Sequence, residues 1–375
     1  MGMCKSGKGG VDILKARRLV IILAIIAAFI LVLFLLIAGV LMLSSLFILP
    51  QSSVDITGNS VDNNYNNILA GSNLVRINNK LYYNFERNGQ NYGLIEISKD
   101  GSRRIHWEGI WLSAPNILTY PIRMYDGALT MELENGIKHY VADSNAFEEY
   151  KPFNAIPEIT LRFQETDLGM LYESKVEPGQ FGNLCVYDGN STKVIAEEIY
   201  SFYANGCDIY YYISTSPIGQ SGEFRKYCMV DKTDVSICEL NNYDCVFSFM
   251  LEKNYLIFKG VNLNEGNDTE LSVYKINLSN ADKKPELVCR GNAIVSYAYN
   301  QYDINSMNVY NGTIYVASCS GLTAFDVSSN DKRKLYNHYV EECYIVDDTW
   351  IYFVDRNARL LRIPQTGGNA ELVYG

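Results

Sequence analysis

Histidine, proline and recognisable catalytic motifs are scarce in this sequence, and each absence narrows the possible functions. Among 375 residues there are three histidines and nine prolines, and there is no HExxH or GxSxG motif. His106, His139 and His338 lack the short spacing of zinc ligands, so we predict no metal site. The tetrad from Ser272 to Lys275 matches SxxK, but it lies in a predicted strand without the partner motifs, so we interpret it as structural. The sequence therefore predicts no catalytic residue and no cofactor.

Acidic residues outnumber basic residues over most of the chain. The formal net charge is −10, although five bases and one acid lie in the first eighteen residues; this leaves 27 bases against 41 acids in the remainder. Phosphate binding needs a basic surface, so the acidic remainder excludes nucleic acid as a partner. The same acidity argues against docking onto anionic lipid.

Charge is absent altogether from residues 19–49, a run of 31 almost wholly apolar residues. A spanning helix needs about 20 residues, whereas the hydrophobic part of a signal peptide has roughly 7–15. We therefore predict a transmembrane signal-anchor helix over this run. A cleaved signal peptide remains the alternative, because two pairs of small residues, Ala27-Ala28 and Ala38-Gly39, lie within it.

Bases precede this run and few acids follow it, so the positive-inside rule places the N-terminus in the cytoplasm. Residues 1–18 are then a short cytoplasmic tail of a single-pass protein of the cell membrane. Residues 50–72 are rich in Asn, Ser, Asp and Gly and are predicted to be a flexible stalk. Residues 73–375 are predicted to form one extracytoplasmic domain.

Strand and turn patterns fill this outer domain, where short apolar and aromatic runs alternate with clusters of Gly, Asn, Asp and Ser. A strand-turn-strand signature recurs, and the middle residues of its first strands are Tyr82, Leu129, Leu171, Tyr210, Ile257, Tyr315 and Tyr352. Successive copies lie 37 to 58 residues apart, and a propeller blade takes about 40–50. Small sheets with two apolar faces bury both by packing side by side in a ring.

We therefore predict an all-β fold: a β-propeller in which seven blades are favoured and six or eight stay open. The longest interval between copies is expected to hold an insertion at Asn262–Thr269.

The last copy carries a family resemblance. Its segments 352–355 (Tyr-Phe-Val-Asp) and 361–363 (Leu-Arg-Ile), followed by Gly367, resemble a degenerate YWTD-type repeat. The array is similar to the low-density-lipoprotein-receptor-like β-propeller domains of uncharacterised bacterial surface proteins. The match is best in the first and last copies, although 82–84 (Tyr-Tyr-Asn) and 315–317 (Tyr-Val-Ala) depart from the full motif.

This resemblance implies a binding or scaffolding propeller, often six-bladed, without a known enzymatic role. It also implies that the repeat residues hold the blades together and form no site. These residues are Tyr82, Tyr83, Tyr210, Tyr211, Tyr315, Tyr352, Phe353 and Asp355.

Eight cysteines lie in the outer domain, an even number that permits disulfides outside the cytoplasm. Cys207 and Cys228 flank a predicted hairpin, and Cys238 and Cys245 flank a predicted turn, so these are the two candidate pairs. The alternative is buried free thiols that pack as small apolar residues. We prefer the alternative, because eight cysteines in so large a domain do not form a disulfide scaffold.

Three functions compete. The first is a binding or scaffold module for a surface protein or glycan, without catalysis. The second is a glycan-active enzyme, which needs carboxylates within about 5–10 Å of each other at the channel mouth. The third is a sensor, which would need a partner because eighteen cytoplasmic residues are too few for a folded domain. The absence of a catalytic motif favours the first.

Overall fold

The computed structural model describes residues 59, 61, 66, 67 and 69, and residues 73–375 apart from 78, 88–90, 100, 101, 111–121, 126, 127, 134, 135, 142–145, 150–158, 167, 168, 175–181, 215–220, 242, 245, 247, 263–270 and 292–303. All of them belong to the unit Ser52–Gly375. The predicted cytoplasmic tail and membrane segment lie outside the described residues. No helix in the described part of the chain is long and apolar enough to cross a membrane.

The described residues form an all-β fold of 28 strands in six antiparallel sheets. Four of these sheets have four strands each, paired in chain order. The first sheet contains β1 (Leu74–Ile77), β2 (Lys80–Arg87), β3 (Asn91–Ser98) and β4 (Arg103–Ile110). The second contains β5 (Ile122–Tyr125), β6 (Ala128–Leu133), β7 (Gly136–Val141) and β8 (Ala146–Glu149).

A seven-stranded sheet follows, again paired in chain order. Its strands are β9 (Ile159–Thr166), β10 (Gly169–Ser174), β11 (Gly182–Tyr187), β12 (Thr192–Asn205), β13 (Asp208–Ser214), β14 (Ser221–Cys228) and β15 (Thr233–Asn241). The long strand β12 belongs to two four-stranded sets, because its first part pairs with β11 and its second part pairs with β13. Between the two parts, Glu198 has a φ of 53°, a left-handed conformation that costs a non-glycine residue about 1–2 kcal/mol.

The next sheet has one divided edge. Strands β18 (Tyr255–Asn262), β19 (Leu271–Asn277) and β20 (Glu286–Cys289) pair in order. Two short strands, β16 (Tyr243–Asp244) and β17 (Phe249–Glu252), share the other edge of β18.

The last two sheets each contain four strands. One contains β21 (Ile304–Tyr310), β22 (Thr313–Ser318), β23 (Gly321–Asp326) and β24 (Lys332–Tyr336). The other contains β25 (Val340–Tyr344), β26 (Trp350–Asp355), β27 (Leu360–Pro364) and β28 (Glu371–Tyr374). With β12 counted in two sets, the described strands make seven sets, which we number 1 to 7 along the chain.

The recurring signature of the sequence corresponds to the second and third strands of these sets. Each middle residue of the predicted series lies in a second strand, from Tyr82 in β2 to Tyr352 in β26. These strands are apolar because both of their faces are covered; β26 is buried at every position after Trp350. Of the predicted insertion, Asn262 ends β18 and residues 263–269 lie outside the described residues.

Neighbouring sets share hydrophobic cores. Common cores join sets 1 and 2, 3 and 4, 4 and 5, and 5 and 6. Sets 6 and 7 are in contact through the rings of Tyr336 and Phe353, whose centroids are 4.8 Å apart. Burial of one large apolar side chain in such a core contributes about 1.5–3 kcal/mol.

The first and last sets also share a core. Tyr83 and Phe85 of set 1 pack in one cluster with Tyr344, Tyr352 and Val354 of set 7. Neither set borrows a strand from the other, since β1–β4 and β25–β28 are each continuous in the sequence. In the described part of the chain, side-chain contacts therefore join the first and last sets.

An asparagine-rich segment, which we call the docking segment (the described residues 59, 61, 66, 67, 69 and 73), lies against sets 6 and 7. The Asn67 amide donates to Ile345 O at 2.7 Å and accepts from Ile345 N at 2.9 Å, as a strand neighbour would. Asn308 donates to Asn67 Oδ1 at 2.8 Å, and Asn66 donates to Val309 O at 2.9 Å. Both Asn66 and Asn67 are buried.

The described residues 59, 61, 66, 67 and 69 dock on the sheets, whereas the rest of residues 50–72, which the composition predicts to be a flexible stalk, lie outside the described residues; the stalk stays a prediction. Asn59 binds both carboxylate oxygens of Asp348, through its backbone N at 3.0 Å and its side-chain amide at 2.8 Å. The physical reason is that an asparagine side chain carries the same donor and acceptor as a peptide unit, so it can satisfy buried backbone groups. Composition alone does not distinguish this use from a solvated loop.

We predict that Asn67→Ala lowers the free energy of unfolding by about 2–4 kcal/mol, because buried donors and acceptors of Ile345 lose their partners. Urea denaturation of the full chain, followed by tryptophan fluorescence, measures the change. Asn190→Ala is the control, since Asn190 is exposed, and it should change stability by no more than about 0.5 kcal/mol. Equal midpoints for both variants would contradict a structural role for Asn67.

Candidate functional site

Lys259 lies in β18 at the point where the neighbouring edge strand changes from β17 to β16. β16 pairs with Val261 and Asn262, and β17 pairs with β18 only up to Phe258. Lys259 and Gly260 therefore lie opposite the segment between β16 and β17, and among the described residues of that segment Ser248 O accepts a backbone hydrogen bond from Lys259 N at 3.4 Å. Because strand residues alternate in direction, Lys259 lies on the same face as Ile257, which packs against set 6.

A second irregularity lies directly across from this break. In set 6, Ile304 pairs with Ser318 and Ser306 pairs with Ala317, so Asn305 is an extra, bulged residue. Lys259 Nζ donates to Asn305 O at 3.4 Å, and the Asn305 amide donates to Val340 O of set 7 at 2.8 Å. Bulges commonly redirect a side chain or backbone group next to a functional site. Three sets thus meet at Asn305.

Burial shifts the pKa values of two titratable groups near Asn305, those of Lys259 and Cys343. Lys259 is partly exposed, yet burial lowers the pKa of its ammonium. Cys343 of set 7 is the neighbouring titratable group, and burial raises the pKa of its thiol to about 12. The thiol is neutral near pH 7, so it supplies no counter-charge.

The seam between sets 1 and 7 contains a hydrogen-bonded carboxylate, that of Glu342. Glu342 Oε2 accepts hydrogen bonds from Asn73 Nδ2 at 2.8 Å and from the Tyr344 hydroxyl. Burial, and then the Glu342 charge, raise the pKa values of Tyr83 and Tyr344 well above the ordinary value. Both phenols therefore stay protonated, and Glu342 serves as an acceptor that ties the two sets together.

Two further carboxylates hold turns. Asp347 accepts from the backbone N of Trp350 at 2.7 Å and from the Tyr352 hydroxyl at 3.0 Å, and it lies 3.7 Å from the Arg76 guanidinium of set 1. Asp355 accepts from two backbone N–H groups of the following turn and from the Arg359 guanidinium at 2.6 Å. Each of these acids is occupied by bonds that fix the local fold.

The repeat residues implied by the resemblance lie on second strands and are largely buried. Those with less than a tenth of their surface exposed are Tyr82, Tyr83, Tyr211, Tyr315, Tyr352, Phe353 and Asp355. Tyr210 is partly exposed beside Lys226, whose Nζ lies 5.8 Å from the Tyr210 ring centroid. None of them lies next to Lys259 in a described contact.

Among the described residues, the SxxK motif does not form a catalytic pair and the metal-ligating residue types do not form a cluster. Ser272 and Lys275 are both buried, but they are three positions apart in β19 and point to opposite faces. Lys275 Nζ instead donates to Val327 O at 2.6 Å. Within the described ranges, no group of three or more His, Cys, Asp or Glu side chains is placed to hold a metal ion.

The four cysteines proposed to pair are placed as follows. Cys207 and Cys228 are free thiols. Cys228 lies opposite Asp208 in the hairpin, so Cys207, one residue before Asp208, points to the other face. Cys238 is free, buried and donates to Lys283 O at 2.9 Å, while Cys245 lies outside the described residues.

Lys259 and Asn305 were not found by sequence reasoning. Lys259 directly follows the apolar run Tyr255–Phe258, where a lysine ordinarily marks the exposed end of a strand. A single sequence carries no signal for the break in one ladder and the bulge in the next, which together give Lys259 its surroundings.

No protein-family profile and no curated protein matches the chain. Among solved structures, a prolyl endopeptidase matches 82% of this chain and 50% of its own, at 10% identity and a TM-score of 0.48. The extracellular domain of BT4673 from B. thetaiotaomicron matches 86% of this chain and 39% of its own, at 12% identity and a TM-score of 0.44. The β-propeller domain of the Trilobed protease from Pyrococcus furiosus matches 81% and 97%, at 11% identity and a TM-score of 0.48.

This chain therefore spans half or less of the first two structures. With TM-scores below 0.5, none of the three carries an activity or a ligand over to it.

We predict that alkylation in denaturant without reductant labels Cys207 and Cys228 completely, because the two thiols face away from each other. In the folded chain at pH 8, Cys343 should stay unlabelled, since its thiol is buried and protonated. Peptide mass spectrometry measures both. A peptide that joins Cys207 to Cys228 would contradict the first expectation, and fast native labelling of Cys343 would contradict the second.

Proposed function

We propose that this protein is a membrane-anchored β-propeller of seven blades, held outside the cytoplasm, that binds or scaffolds a surface protein or glycan without catalysing a reaction. The membrane anchor and topology rest on the uncharged run 19–49 and the bases before it. The seven strand sets correspond to seven blades.

The shared core between sets 1 and 7 is the observation that supports a ring. In an open solenoid, each unit contacts only its neighbours in sequence. Here Phe85 of set 1 packs with Val354 and Tyr374 of set 7. Arg103 of β4 also donates to Val373 O at 2.7 Å. These contacts favour closure of the array on itself.

The carboxylates that accept structural hydrogen bonds support a binding function over a catalytic one. A glycosidase needs one acid that gives or takes a proton and a second that attacks or activates water. In the described part of the chain, Glu342, Asp347 and Asp355 each accept bonds that hold strands or turns. An acid committed to two or three structural donors is a poor proton donor. The glycan-active enzyme remains the alternative function.

The ring is tested by hydrogen exchange in the full chain. Val354→Ala removes packing from the core of sets 1 and 7. We predict that amide exchange in β2 becomes about tenfold faster, as expected for a loss of about 1–2 kcal/mol of packing. The matched control is Val273→Ala in the core of sets 5 and 6, which should affect β22 and spare β2. An unchanged β2 in Val354→Ala would contradict closure.

The binding function is tested by retention on the full chain, immobilised in a neutral detergent. We predict that a fraction of envelope glycans or of surface proteins is retained saturably and is released unchanged in mass. Release of shortened glycans would instead support the enzyme. Retention of neither class would overturn the proposal.

A further inference from the structure

We propose that β24, the last strand of set 6, is a docking edge for an extended acidic segment of a partner protein, which adds to the sheet as a fifth strand. This inference rests on the proposed binding function and names the kind of partner and the place where it binds.

β24 carries three consecutive cations at the surface. Lys332, Arg333 and Lys334 are all exposed, in a chain whose formal net charge is −10. Arg333 donates to Gln365 O of set 7 at 2.8 Å, and this neutral acceptor leaves the charge of the guanidinium uncompensated. Lys332 and Lys334 lie on the opposite face of the strand, because successive strand residues alternate in direction. The strand therefore presents positive charge on both of its faces.

Among the described strands, no other last strand of a set has this composition. The last strands of sets 1 to 5 and of set 7 are β4, β8, the first part of β12, β15, β20 and β28, and each of them contains at least one Asp or Glu. β24 contains neither. Lysine on an edge strand deters pairing with uncharged strands, so the composition of β24 selects against most strands and favours one that carries acids.

The backbone of β24 has hydrogen-bonding groups that point away from its own sheet. No strand in the described part of the chain pairs with its outer edge. Asp326 N donates to Asp331 O at 3.0 Å, and hydrogen-bonded pairs alternate with non-hydrogen-bonded pairs along an antiparallel ladder. The next pair, Phe325 with Lys332, is therefore not hydrogen-bonded, and the same holds two positions further on at Lys334. The N–H and C=O groups of both lysines thus point away from β23, toward the outer edge.

An extended peptide matches this edge better than a glycan does. An added strand binds a sheet edge through main-chain hydrogen bonds, and its alternate side chains give specificity. Lys332 and Lys334 lie about 6.8 Å apart, twice the rise of a strand residue, and alternate residues of an added strand repeat at the same distance. Two acids at alternate positions of the partner therefore lie directly opposite the two lysines. An acidic sugar chain supplies the negative charge but not the alternating N–H and C=O groups of a peptide backbone.

A second copy of this chain fits less well, because three acids of its own last strands already face a cation of the same set. These pairs are Asp234 with Arg225, Glu286 with Lys275 and Glu371 with Arg362. A partner whose acids are not already paired gains more from the three cations of β24. The occupant that we infer is therefore a different protein.

The test measures binding of labelled six-residue peptides to the full chain, held in neutral detergent, by fluorescence anisotropy. The probe alternates threonine and glutamate, so that its glutamates share one face of an extended strand. One control replaces every glutamate by glutamine, and a second keeps the glutamates but carries a methyl group on their backbone nitrogens. We expect each control to bind about tenfold more weakly than the probe, because the first loses the charges and the second loses the main-chain donors.

Amide hydrogen exchange of the wild-type chain locates the bound peptide. At saturating probe, the amides of Lys332 and Lys334 should exchange about tenfold more slowly, because their outward N–H groups acquire acceptors. The amides of β2 in set 1 should exchange at an unchanged rate. Unchanged exchange at both lysines would overturn the proposal.

A double variant tests the charges of the chain itself. Lys332→Gln combined with Lys334→Gln should weaken binding of the probe about tenfold. The matched control combines Lys232→Gln with Lys253→Gln, since both of these lysines are exposed in turns between strands, and it should bind the probe as the wild type does. The peptide series on the wild-type chain does not depend on whether the double variant folds.

The other occupants are distinguishable outcomes. Equal binding of the probe and of either control peptide would overturn the proposal, as would no binding of the probe. A glucuronate oligomer that binds the wild type and not the double variant, while the probe does not bind, would assign the edge to an acidic glycan instead. Self-association of the wild type that the double variant abolishes would assign it to a second copy.

The outcome is separable from that of the proposed function. A chain that retains a surface glycan or protein while it binds none of the peptides would keep the binding function and lose this site.

Discussion

The core shared by the first and last strand sets is the interaction on which the proposed ring depends. Tyr83 and Phe85 on one side, with Tyr344 and Val354 on the other, cover faces that would otherwise meet water at both ends of the array. No strand is exchanged across this seam in the described chain, so its strength comes from apolar burial and a few charged contacts such as Arg76 with Asp347. The docking segment adds buried amides where sets 6 and 7 meet.

The sequence allowed the all-β fold and the repeat to be predicted, and the reason lies in one class of strand. Second strands such as β2 and β26 are covered on both faces, so they appear as compact aromatic and apolar runs at a regular interval. A fourth strand such as β24 is harder to recognise, because it lies at the edge of its sheet and carries polar residues; it begins with Lys332, Arg333 and Lys334, all exposed. The first half of β12, residues 192–198, could not be recognised as a strand for a related reason, because it is largely polar and exposed.

The candidate site could not be predicted from the sequence, because only the fold brings its residues together. Lys259 and Asn305 are 46 positions apart, and each would be ordinary in a regular strand. The docking of the described residues 66 and 67 could not be predicted from the sequence either. Asn66 and Asn67 belong to a polar stretch whose composition suits a stalk, and their burial depends on carbonyls of Val309 and Ile345 that lie far along the chain.

That distance has a consequence for biosynthesis. Asn67 and its partner Ile345 are 278 residues apart, so at roughly 5–20 residues per second the asparagine emerges on the order of tens of seconds before its acceptor exists. Set 1 must wait for set 7 in the same way, because the residues of their shared core are far apart in the sequence. The contacts of Asn67 with Ile345 and of set 1 with set 7 are therefore long-range steps of the kind that limit folding rates.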